Sequence, residues 1–65
     1  MPSSVINRIS YDHKSSILRI IFISGNIYDY LNVPLPVYYS LKQARSKGMF
    51  FNENIKGKFE FKRIE

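Results

Sequence analysis

The side chains able to make or break bonds are few: one His, no Cys and five acidic residues in a chain of 65. A nucleophile relay needs a hydroxyl or thiol supported by a base, with the base held by a third group. His13 could be that base with Asp12 beside it, but successive positions of an extended chain send their side chains to opposite faces. His13 is therefore read as a turn residue. Paired carboxylates are no easier to assemble, because Asp12, Asp29, Glu53 and Glu60 fall in different elements. Zinc and similar metals need three or four converging ligands, so neither a protein metal site nor a cofactor is expected. Gly48 and Gly57 do not form a phosphate-cradling loop, since the residues between them lack either nucleotide-loop pattern. The chain is read as non-catalytic.

Binding chemistry is better represented. Residues 42–65 carry Lys42, Arg45, Lys47, Lys56, Lys58, Lys62 and Arg63 against Glu53, Glu60 and Glu65, so most of the net charge of +5 lies there. That asymmetry suits an anionic partner, nucleic acid before membrane, and equally a solvated surface that keeps a small chain soluble. In the segment 46–63, Lys47, Lys56, Lys58, Lys62 and Arg63 can contact phosphates, each contact releasing condensed counterion. Asn52 and Asn54 can hydrogen-bond sugars or base edges, or the local backbone. Tyr28 and Tyr30 share one face of a strand, as base-stacking aromatics do. Rings packed on the core with hydroxyls at its edge fit the same spacing.

These residues need a scaffold, and its size is limited. A chain this short buries only roughly 60% of the surface its unfolded form exposes, so its core is thin. Without Cys there is no disulfide or thiolate site to reinforce it, and five Phe and five Tyr supply the burial instead. The absence of Cys suits a reducing compartment. The N-terminus lacks a basic leader, and the best apolar run, 17–23, is interrupted by Arg19, so a cytoplasmic protein with no membrane partner is expected.

Residues 5–11 alternate, with Val5, Ile9 and Tyr11 on one face and Ile6 as the exception, which predicts a strand. Residues 12–15 have turn composition, and 16–23 form a second strand with Leu18, Ile20 and Phe22 together. Its other face, Ile17, Arg19, Ile21 and Ile23, is apolar enough to expect partial cover by the helices or a second subunit. Ser24, Gly25 and Asn26 make a hairpin, and 27–33 is the third strand, ended by Pro34 and Pro36. Val37, Tyr38, Leu41 and Ala44 have helical spacing over 37–45. Ser46 caps a second helical segment with Phe51 and Ile55 inward and Gly57 closing it, and 58–64 alternates as a last strand. Phe50, Phe51, Phe59 and Phe61 are expected in the core. The fold class is α+β: a small antiparallel sheet made of a three-strand meander, one or two short helices and a final C-terminal strand, in one domain over 1–65.

Two stretches carry a resemblance: Tyr28-Asp29-Tyr30 leading to Val33-Pro34, and the ungapped run from Ser46-Lys47-Gly48-Met49-Phe50-Phe51-Asn52-Glu53-Asn54-Ile55-Lys56-Gly57-Lys58-Phe59. Together they resemble the KTSC domain, a family named from the C-terminus of some lysyl-tRNA synthetases whose members also occur alone. The resemblance covers the whole chain. It implies RNA binding and brings no family active site to carry over. Two expectations follow. The first is a non-catalytic module binding RNA, tRNA included, through Lys47, Asn52, Asn54, Lys56, Lys58, Lys62 and Arg63, with Tyr28 and Tyr30 as a supplement. The second is a protein-interaction or homo-oligomerising module that uses the Ile17, Ile21 and Ile23 face or Tyr39.

Overall fold

Strand β1 (Ile6–Asp12) pairs antiparallel with β2 (Ile17–Phe22) in a computed structural model that describes residues 5–65. The first four positions of the expected domain lie outside the described residues. Ile6 pairs with Phe22 but Arg8 with Ile21, so the register slips by one residue at Asn7. This bulge corrects the sequence reading. The extra residue resets the alternation and brings Ile6, 8% exposed, to the core side with Ile9 and Tyr11, while Val5 is 53% exposed.

The turn after β1 is built by Asp12, whose carboxylate accepts from the Lys14 N–H at 3.0 Å and the Ser15 hydroxyl at 2.7 Å. The Ser15 hydroxyl first, and then the Lys14 N–H, holds the Asp12 carboxyl below its usual pKa range. A second hairpin through Gly25, whose φ of +98° favours glycine, leads into β3 (Ile27–Tyr30). The third strand is shorter than expected. Asn32 turns the chain into the left-handed region at φ 56°, and Val33 drops into the core with its N–H bonded to the Ser16 carbonyl at 2.9 Å.

Pro34 caps α1 (Leu35–Gln43) without a side-chain bond, and Pro36 stands in its first turn, where a missing N–H loses nothing. Ser46 caps α2 (Lys47–Asn54) as expected, its hydroxyl accepting from the Met49 N–H at 3.2 Å. Gly57, at φ +77°, turns the chain away. Strand β4 (Phe61–Arg63) then completes a four-stranded antiparallel sheet in the order β1-β2-β3-β4. It is shorter than the alternation of 58–64 suggested, and Phe59 packs on the core before the strand begins.

Both helices pack on one face of the sheet. Leu41 of α1, Phe51 of α2 and the following Ile55 join Ile6, Leu18, Ile20, Tyr30 and Val33 in one buried cluster. The opposite face is left without helical cover, contrary to one of the two expectations for β2. There Ile17 and Ile21 are half-buried, and Arg19 holds Asp29 through two bonds of 2.7 and 3.0 Å.

Candidate nucleic-acid interface

One register row crosses the helix-covered face from edge to edge: Tyr11, Leu18, Tyr30 and Phe61. The next row places Tyr28 beside Ile20 and Arg63. Strand alternation thus brings Tyr28, Tyr30 and Phe61 to the same side as α2. Phe51 reaches down from the helix, edge-on to Phe22 at 5.6 Å and to Tyr30 at 5.4 Å.

Between α2 and the β3–β4 edge lies a groove of about 720 Å³. Its walls are mostly aromatic, with Phe22, Tyr28, Tyr30, Phe51 and Phe61 lining it and Val5 and Ile23 beside them. Phe61 sits 5.3 Å from the Tyr28 ring and 5.5 Å from the Tyr30 ring, yet is 54% exposed. Its place corrects the expectation of a core Phe: β4 is an edge strand, and the aromatic partners of Phe61 both come from β3. Phe51 is buried as expected, and Phe50 and Phe59 are partly so.

Asn52, Lys56, Asn26 and Ser24 supply the polar part of the lining, which contains no Asp, Glu or His among the described residues. The Arg63 guanidinium stands at the rim, donating to the Asn26 side-chain oxygen at 3.3 Å and the Glu65 carbonyl at 3.1 Å. Burial first, and the neighbouring Tyr28 phenol second, push the Tyr30 phenol above its ordinary pKa. The Tyr30 ring is 4% exposed, so it forms the groove floor rather than a free platform.

The residues expected to bind nucleic acid are therefore divided. Tyr28, Tyr30, Asn52 and Lys56 converge on the groove, with Arg63 beside it. Lys62, opposite Asp29 in register, belongs to the uncovered face. Lys47 begins α2, and Lys58 lies in the turn after it. Asn54 uses its amide locally, donating to the Phe50 carbonyl at 3.3 Å. Among the described residues, Arg19–Asp29 is the ion pair found, which leaves Lys47, Lys56, Lys58, Lys62 and Arg63 without a carboxylate partner. Sequence reasoning missed Phe22, Phe61 and Asn26. No local signal separates Phe61 from Phe59, which shares its alternation in the same charged stretch.

Three other features limit the chemistry. Among the described residues no group of three or more His, Cys, Asp or Glu could hold a metal ion. His13 lies in the β1–β2 turn with its ring edge-on to Tyr11 at 5.1 Å. No described helix is long and apolar enough to cross a membrane.

A family model described as the KTSC domain matches residues 2–59. The chain belongs to the KTSC domain family. This KTSC domain is 48% identical over 61 residues to a lysine–tRNA ligase of Nostoc punctiforme and 39% identical to one of Trichormus variabilis, covering 94% of this chain in each case. It spans 11% of the length of those ligases. It is also 38% identical over 56 residues to an uncharacterized protein of Stutzerimonas stutzeri, covering 86% of this chain and 79% of that one. A solved structure of a KTSC domain protein from Yersinia pestis matches with a TM-score of 0.92 at 40% identity, over 100% of this chain and 92% of the other. The family match stops before β4, so Phe61 and Arg63 lie beyond it.

Proposed function

We propose that this KTSC domain is a non-catalytic RNA-binding module of the cytoplasm, with tRNA among the RNAs it takes. The observation that carries the reading is the set of exposed cations at Lys56, Lys58, Lys62 and Arg63, none of them paired with a carboxylate among the described residues. Cations already held by Asp or Glu would have to give up those contacts before meeting phosphate; these do not. Lysine–tRNA ligases among the relatives favour tRNA as the class of partner. A groove lined by aromatic rings, Val5, Ile23, amides and one Lys, with no carboxylate or imidazole among the described residues, favours binding over proton transfer.

The competing reading, an apolar contact through Ile17, Ile21 and Ile23, meets two obstacles, the first being that Ile23 follows the end of β2 and lines the groove. The second is that Arg19 stands between Ile17 and Ile21 on that face and is committed to Asp29. A partner would have to bury that ion pair or break it.

Fluorescence anisotropy with labelled tRNA and a labelled single-stranded RNA tests the proposal. The logarithm of the affinity should fall linearly with the logarithm of salt between about 50 and 200 mM. Lys56→Glu and Lys58→Glu should each weaken binding and lower the salt slope by about 1. Binding that ignores salt, or no binding to either RNA, would overturn the reading.

A further inference from the structure

We infer that the groove between α2 and the β3–β4 edge is a pocket for one unpaired nucleotide, its base against Phe61 and Tyr28 and its phosphates at Lys56 and Arg63. The inference rests on the RNA-binding reading and specifies the strand form recognised. The strongest indication is the exposure of Phe61. In a chain with so thin a core, a ring that is 54% exposed above two tyrosines is apolar surface that folding has left uncovered. A flat π system is the shape that extends such an aromatic group.

The polar rim narrows the occupant further. Asn52 is exposed at the groove, and its amide makes no hydrogen bond to protein among the described residues, whereas Asn54 spends its amide on the Phe50 carbonyl. A free carboxamide offers a donor and an acceptor in one plane, the pattern presented by a base edge. Lys56 lies on the same rim, and Arg63 is held there through Asn26 and the Glu65 carbonyl. Among the described residues no carboxylate lines the groove to repel an anion. The exposed Val5 and Ile23 also line the groove, but an apolar peptide seated on them and the rings would leave the two cations unmatched, whereas a nucleotide meets the aromatic wall, the amide and both cations. The volume, about 720 Å³, lies within the usual range for small-ligand sites. Bases inside a duplex stay stacked and cannot enter, so the pocket favours single strands, loops and ends.

Two measurements test this. In the first, the 15N-labelled chain is titrated with adenosine and uridine monophosphates and followed by amide shifts. In the second, binding of a single-stranded RNA is compared with its duplex for the wild-type chain, Phe61→Ala and Asn52→Ala. Shifts should cluster at Tyr28, Asn52, Gly57 and Phe61. Phe61→Ala should lose about tenfold in affinity for the single strand with little change for the duplex. Asn52→Ala, at an exposed position away from the core, should reduce the difference between bases. Full single-strand affinity in both variants, with salt dependence intact, overturns the pocket and leaves RNA binding standing. Monophosphate shifts in the groove without RNA affinity overturn RNA binding and keep the pocket. Neither shifts nor RNA affinity overturns both.

Discussion

Tyr11 and Phe61 terminate the same register row at opposite edges of the sheet, and they meet opposite fates. At the β1 edge, Tyr38 of α1 stacks on Tyr11 at 4.9 Å, and the Tyr11 hydroxyl donates to the Val33 carbonyl at 2.6 Å. At the β4 edge, Phe61 leans on Tyr28 and Tyr30 and otherwise meets solvent. The two rings have similar size and lie on the same face. What separates them is cover: α1 closes one edge, and the aromatic contacts of α2 reach Tyr30 and Phe22 but not β4. Aromatic content alone therefore does not divide structural rings from available ones. Position in the row relative to the helices does.

The comparison assigns stability to the covered edge and binding to the open one. Its largest test is Leu41→Ala, which empties a fully buried position of α1. Removal of a buried Leu side chain costs about 2–5 kcal/mol, a large share of the few kcal/mol expected for a domain of this size. Urea unfolding followed by circular dichroism should show a much lower midpoint. Next is Tyr11→Phe, which keeps the ring and removes the hydroxyl donating to the buried Val33. Leaving that carbonyl unpaired should cost about 1–3 kcal/mol in the same assay, with RNA affinity unchanged.

Much of the covered edge was legible in the sequence because local rules and tertiary packing agree there. Leu18, Ile20 and Phe22 alternate on one strand, Val37, Tyr38 and Leu41 follow helical spacing, and the Ser46 cap forms as expected. The errors arose where one residue alters the count or where burial depends on a distant neighbour. Asn7 shifts the register and exchanges the roles of Val5 and Ile6. Asn32, by adopting a positive φ, ends β3 before Val33. At the open edge, Lys56, Asn52, Tyr28 and Tyr30 are legible as types but not as one groove, because the packing of α2 on the sheet, through Phe51 against Phe22 and Tyr30, brings them together. The chemistry of Phe61 points to the core. No local pattern reports that its strand would be the last in the sheet.

The smallest expected effect is on the stability of Phe61→Ala, and it is the one that most sharpens the contrast. The ring is already 54% exposed and has two aromatic neighbours, Tyr28 and Tyr30, so its loss forfeits little burial. Each aromatic pair contributes about 0.5–1.5 kcal/mol beyond its area burial, and half exposure keeps the total well below the cost of emptying the buried Leu41 site. Truncation also leaves no sealed cavity, because the groove is open to water and solvent fills the space. The unfolding midpoint should therefore stay close to wild type while single-strand affinity falls. A loss as large as that of Leu41→Ala would mean that Phe61 holds β4 to the sheet as Tyr38 closes over Tyr11, and the two edges would then be structural in the same sense.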